Sequence, residues 1–428
     1  LARLMNLYKW MYRAVAVSVL LFGLVLLPFL PHFIKGGEEI EHITLIYIIY
    51  VLGSASSYLL SYKSSIYQAY QKGYIRAGWN MVCELLKTIL QTTVLLLTGN
   101  FILYLVVQQV VQLLPNIMVS HRADNEFPYL KECHELPEKE ERNGILKNIG
   151  AMSMHKLATV IVNNTDSLLM SSFIGLTAVG IYSNYRMVII NVQNIIVKLL
   201  SAFTGSVGNL SASEEPAKVY RIYREMDFMF FVLNAYFAAG MFILINPFIA
   251  IFFGEQYCFS TVTVALIITS FFTTGLRRVN LIFREGMGLF WNDRYKAVAE
   301  SIINLVVSLL LVKPFGIAGI VGGTIISTVT TCAWIEPYVL MKHGIKEDWQ
   351  ARLRRYFAEY AQHCALTAAL SAAGWYAASR FPIDHIGKFL AAGVLYTIVF
   401  AAVILLCYRK TEEYSSLKAR CFALVRRK

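Results

Sequence analysis

Apolar runs of about 20 residues recur from one end of this chain to the other, and that recurrence constrains the fold more than any other feature. Twelve can be marked, at roughly 11–34, 42–62, 79–98, 100–120, 148–170, 176–204, 227–248, 258–282, 294–312, 315–340, 359–379 and 387–407. Each has the length a helix needs to cross the hydrocarbon core of a bilayer. In that medium every backbone N–H and C=O must be bonded internally. The alternation of a membrane strand is missing, so the runs predict an all-α integral membrane protein, not a barrel. Composition agrees. The 428 residues are 57% hydrophobic and 15% charged, against about 25% charged in a soluble domain.

A net charge of +12 would suit nucleic acid, but the cations sit between apolar runs, where topology accounts for them. Alternate loops hold 31 of the 39 Lys and Arg, including Arg76, Arg277, Arg284 and Lys296. The opposite set holds only Lys35, Lys313, Arg380 and Lys388. This asymmetry predicts that both ends of the chain are cytoplasmic and that nucleic acid is not a partner. The opposite loops are very short, Gly99-Asn100 being one of them. The longest cationic loop, 121–147, carries Pro128 and Pro137 and reads as a linker between two bundles. The tail after Tyr408 holds seven cations and reads either as a surface helix on anionic lipid or as an irregular basic tail.

Several runs carry a polar stripe at helical spacing. In the fifth, Lys156, Thr159, Asn163 and Asp166 share a face, with His155 at its edge. The third has Asn80, Glu84, Lys87 and Gln91; the fourth has Gln108, Gln112 and Asn116. The sixth has Asn184, Asn191, Asn194 and Lys198, with Arg186 near mid-depth; the ninth has Glu300, Asn304 and Ser308. A charge turned to lipid at the bilayer centre costs at least about 2.5–3.5 kcal/mol, so such faces look inward. One stripe would read as glue between helices. Five, most of them charged, predict a hydrated interior path. Lys87 and Lys156 lie about 12 Å into their helices, a depth from which a lysine can also snorkel. A cationic path suits an anionic cargo, because a phosphate accepts from several Lys or Arg donors. The candidate binding residues are therefore Lys87, Lys156, Arg186, Asn163, Asp166 and Gln91. Glu84 and Glu300 are candidates for balancing charge or carrying a coupling proton.

No motif for catalysis is present: there is no Walker A loop, GxSxG or HExxH. The seven cysteines form no CxxC pair and read as packing residues, so neither a metal nor a cofactor is expected. Gly316, Gly319, Gly322 and Gly323, around GIAGIVGG, read as a close helix contact.

The run NNTDSLLMSSFIGLTAVGIYSNYRMV at 163–188 resembles the seventh-helix region of Wzx-type polysaccharide flippases, members of the multidrug/oligosaccharidyl-lipid/polysaccharide exporter superfamily. PFIAIFFGEQY at 247–257, SVGNL at 206–210 and the stretch from Lys9 to Pro28 are similar to other parts of that family. The resemblance implies two pseudo-symmetric six-helix lobes and two further C-terminal helices. On that pattern 1–120 is a lobe of four helices, the family's first two being missing from it. The linker is then 121–147, the second lobe 148–340, and the C-terminal helices and basic tail 341–428. It further implies a flippase, not an enzyme, in the bacterial cytoplasmic membrane. The cargo would be undecaprenyl-diphosphate-linked oligosaccharide moved by alternating access, with a polysaccharide polymerase and glycosyltransferases as partners beside the lipid bilayer. The competing expectations are a MATE-like multidrug exporter, which should favour acidic cavity groups, and an integral-membrane enzyme on lipid-linked sugars. The enzyme would need acidic outer loops, and there only Glu38, Glu39, Glu41, Glu255 and Asp384 occur. A membrane scaffold is disfavoured by the interior charges.

Overall fold

The computed structural model describes residues 2–34, 41–70, 72–132, 135–143, 145–146, 164–289, 292–293 and 295–426. Lys156 and Asn163, together with His155 and Thr159, lie outside the described residues. The chain divides into two compact units, Leu1–Lys156 and Leu157–Lys428.

In the first unit α1 (Ala2–Leu26) runs through a 3₁₀ turn into α2 (Leu30–Phe33). Then come α3 (Ile43–Ser61), α4 (Ser64–Ala69), α5 (Tyr74–Thr98), α6 (Phe101–Glu126) and α7 (Tyr129–Glu132). α3 packs on α1 and α6, and α5 pairs with α6. The α5–α6 turn has a local cause. Gly99 takes a positive φ of 62° and bonds back to the Leu95 carbonyl, and the Asn100 side chain caps α6 by accepting from the Leu103 N–H at 3.1 Å. α6 continues past residue 120, where the linker was expected to start, because its polar end is held. Lys63 Nζ donates to Asp124 at 2.6 Å, Lys72 pairs with Glu126, and the Tyr67 hydroxyl donates to Glu126 at 3.2 Å. Beneath these pairs Met5, Ile66, Tyr67, Ile75, Val119, Ala123 and Phe127 form a small core.

The second unit holds α8 (164–173), α9 (Leu176–Ser213), α10 (Pro216–Phe252), α11 (Thr261–Leu276) and α12 (Arg278–Gly286). It continues with α13 (Lys296–Ser327), α14 (Ala333–Val339), α15 (Trp349–Arg380), α16 (Ile386–Tyr408) and α17 (Glu412–Arg426). α10 is its central post. Phe231, Ala235, Ala238, Ile245 and Ile249 are buried along it, and α9, α11, α15, α16 and α17 all pack against it. The tail after Tyr408 is helical. α17 is tied to α10 by Ser416 donating to Glu225 at 2.7 Å and by an Arg224–Glu413 pair.

α13 is two legs meeting at Gly316, whose φ of 57° follows Pro314. The legs lie tightly together. A Cβ at Gly319 would stand 2.1 Å from the Leu311 carbonyl oxygen, and one at Gly323 2.2 Å from Ser308 Oγ. The close contact expected of GIAGIVGG is therefore formed, and Ser308 adds a 3.2 Å bond to the Ile320 carbonyl. Two π-helical segments follow, Thr328–Cys332 and Leu340–Ile345.

The fold is all-helical with no strand among the described residues, as the apolar runs predict. Seven of its helical stretches are long and apolar enough to cross a membrane, one of them, Lys296–Ile345, containing both legs of α13. The protein is a multi-pass membrane protein.

Candidate functional site

Inside the first unit the polar stripes of α5 and α6 face a common cavity of about 580 Å³. α5 contributes Asn80, Glu84 and Lys87, and α6 contributes Gln112 and Asn116 beside the buried ring of Pro115. Helical spacing brings this about: three or four residues separate successive members of each stripe, so each presents one edge. Asn116 Nδ2 is held by the Ser57 carbonyl at 3.2 Å, which leaves its amide oxygen available as an acceptor.

Not every member of the stripes reaches the cavity. Gln91 is buried and donates to Gln108 at 3.4 Å, so this pair joins α5 to α6 and does not line the cavity. Lys87 and Glu84, three residues apart, form an ion pair at 2.6 Å. Arg76, Tyr12 and Tyr58 also line the same space. Arg76 was counted with the loop cations, yet it stands four residues before Asn80 and so begins the α5 stripe. That spacing was the signal by which it could have been found. The tyrosines come from α1 and α3, and their rings are 6.4 Å apart at 54°. Nothing in their own helices' spacing marks them.

The second unit treats its polar residues differently. Asn304 and Ser308 are buried, Glu300 is partly buried, and all three make contacts between helices. Asn304 Nδ2 donates to Thr324 at 3.0 Å, and Thr324 donates to Asp166 at 3.2 Å. Arg186 donates to Ser167, the neighbour of Asp166, at 3.2 Å. Asp166 and Arg186 are thus brought to one place, on α8 and α9. Asn191 turns back onto the Met187 carbonyl. Glu300 accepts from Arg277 at 3.1 Å and belongs to a larger cluster. There Arg277 grips Glu336 with two nitrogens, at 2.7 and 3.0 Å, and Lys296 reaches the same carboxylate at 2.6 Å. Lys296 also contacts Asp293 at 3.1 Å, and Asp293 pairs with Arg284. Arg277, Lys296 and Arg284 thus face Glu336, Glu300 and Asp293, with Glu285 3.7 Å from Arg284 at the edge of the cluster. Within this stripe Glu300 is drawn into the ionic cluster, while Asn304 and Ser308 bond across the two legs of α13. Glu336 was missed because it stands alone among apolar residues, with partners 40 and 59 positions away.

Comparison with known proteins bears on this geometry. Residues 3–204 match the family described as polysaccharide biosynthesis protein. No curated protein matches the chain. Among solved structures, a lipid II flippase MurJ in an inward closed conformation superposes with a TM-score of 0.64 at 12% identity, over 94% of this chain and 83% of that one. A Vibrio cholerae MATE transporter superposes with a TM-score of 0.52, also at 12% identity, over 79% of this chain and 80% of that one. Residues 3–204 thus carry the pattern of the polysaccharide biosynthesis proteins, and the chain shares its helical fold with the MurJ and MATE structures.

Proposed function

We propose that this protein is a flippase that carries undecaprenyl-diphosphate-linked oligosaccharide across the bacterial cytoplasmic membrane, by alternating access, for surface polysaccharide synthesis. The observation that carries the proposal is the polar cavity between membrane helices of the first unit. Two cations and one carboxylate line it, leaving one net positive charge, and apolar helices surround it. An anionic, hydroxyl-rich head on a lipid tail needs such a space, since charge and hydroxyl groups cannot cross bare hydrocarbon. A cationic drug would be repelled there, which disfavours the multidrug reading. On this reading both ends of the chain are cytoplasmic, 1–120 belongs to one lobe, 121–147 is the linker, 148–340 forms the other lobe, and 341–428 holds the C-terminal helices and tail. The polymerase and glycosyltransferases of the same polymer are the partners.

Lys87, Lys156, Arg186, Asn163 and Asp166 remain the proposed cargo contacts, and Glu84 and Glu300 the groups that balance charge or carry a coupling proton. Lys156 provides the test. In a flippase-deleted host carrying the variant gene, Lys156→Ala should abolish surface polysaccharide with membrane abundance unchanged. Lys156→Arg should retain part of it, because charge matters more than shape for a diffuse phosphate contact. Normal polymer in the alanine variant would mean that Lys156 only snorkels, and would leave Arg186 as the stronger candidate. Failure of the wild-type gene to restore polymer would remove the flippase reading itself.

A further inference from the structure

We infer that the cavity of the first unit recognises a sugar diphosphate through Arg76 and the Tyr12–Tyr58 pair, with Lys87 in a secondary role; this rests on the flippase reading above. The first observation is electrostatic. Glu84 neutralises Lys87 at 2.6 Å. Among the described residues the only side-chain partner of Arg76 is the uncharged Ser64 hydroxyl, at 2.8 Å from Nη1. The net positive charge of the cavity is therefore that of Arg76. A guanidinium with one terminal nitrogen on a hydroxyl still has donors to present in a fork, which matches two oxygens of a phosphate.

The second observation is shape. Tyr12 and Tyr58 enter the same cavity from α1 and α3 with their rings tilted by 54°. A tyrosine ring gives a flat apolar face with a hydroxyl at its rim. A pyranose gives a flat C–H face edged with hydroxyls, so the two surfaces complement each other. The amide groups of Asn80, Gln112 and Asn116 add donors and acceptors of the kind that fix the orientation of a polyol. Arg76 opens α5, and Lys87 lies 11 positions further on, about 16 Å along the helix. The charge at one end and the amides beyond it orient the ligand: the diphosphate rests at Arg76, and the sugar extends along α5.

Cys83 lines the same cavity and supplies the readout. Full-length protein in detergent is treated with a maleimide, and alkylation of the Cys83 peptide is followed by mass spectrometry. Farnesyl diphosphate and farnesyl-diphosphate-linked N-acetylglucosamine serve as probes. In wild type both should slow the alkylation, the sugar-linked probe at lower concentration. Arg76→Gln should weaken protection by both probes about tenfold, and Arg76→Lys by about threefold or less. Tyr12→Leu and Tyr58→Leu should leave the sugar-free probe unchanged and erase the advantage of the sugar. Thr93→Ala, at an exposed position of α5 outside the cavity, controls for substitution in this helix and should protect as wild type does. Wild-type protection in Arg76→Gln, or an intact sugar advantage in both tyrosine variants, would overturn the inference. So would the absence of protection in a wild-type protein that restores polymer in cells, since the flippase reading would then stand with its site elsewhere. Protection that follows the expected pattern in a protein that restores no polymer would uphold the inference and sink the transport reading.

Discussion

Glu84 and Glu336 each meet a lysine at 2.6 Å inside a helical unit, and there the likeness ends. The Glu84 side chain borders the cavity, is 67% exposed and makes one ion pair with a neighbour on the same helix. The Glu336 side chain is 0% exposed and is held by two cations from two other helices. The first unit keeps its charge where something else can reach it. The Glu336 cluster of the second uses its charge to hold α11, α13 and α14 together. Equal numbers of intramembrane charges in a sequence can therefore mean a site in one place and a fastening in another. The distinction lies in the distance along the chain to the partner.

The sharpest way to break this comparison is to delete both carboxylates. Glu336→Ala leaves Arg277 and Lys296 buried beside an uncompensated space and should cost about 3–5 kcal/mol. Glu84→Ala removes an exposed pair and should cost about 0–1 kcal/mol. Thermal midpoints in detergent, with the yield of inserted protein, measure both; equal losses would mean that the two units do not differ in this way. A smaller effect is expected at the α13 contact. Gly319→Ala puts a methyl group 2.1 Å from a backbone carbonyl that cannot swing aside, so the legs must part, at about 1–3 kcal/mol. Gly322→Ala, whose Cβ would meet only a Leu311 methyl at 3.9 Å, should melt with wild type. A midpoint for Gly319→Ala equal to that of Gly322→Ala would show that the legs are not in register.

The smallest effect belongs to the loop before α16. Hydrogen bonds from Lys388 and His385 hold the Asp384 carboxyl down at about 2, below its ordinary value of 3.8. A carboxyl lowered on folding adds stability above its unfolded value, and that contribution disappears as pH falls through the folded one. The pair should therefore persist at pH 4 and loosen only near pH 2. Asp384 is fully exposed, so Asp384→Asn should not shift the melting midpoint at pH 7 measurably. Carboxyl titration by NMR checks the first statement, and an apparent value near 4 would refute it.

Much of this was legible in the sequence for physical reasons that can be named. A helix in lipid must be apolar along its length, so the runs located the helices. Gly99-Asn100 and Pro314-Phe-Gly316 could only be turns. The α5 and α6 stripes pointed to a cavity because three- and four-residue spacing is a local rule. Ion pairs obey no such rule. Arg277, Arg284 and Lys296, assigned to loops by their position between apolar runs, are in fact neutralised by carboxylates within the fold. Arg76 was set aside in the same way. Tyr12 and Tyr58 were unreadable because what makes them notable is each other, 46 positions apart.

The turn at Gly316 also has a meaning for how the protein is made. The first leg of α13 carries Asn304 and Ser308, whose partners, Thr324 and the Ile320 carbonyl, are on the second leg. Alone in lipid that leg would have these groups without their bonds. With so short a turn the second leg supplies those bonds as soon as it enters the bilayer beside the first. A chain interrupted after residue 312 would hold the first leg in lipid without them.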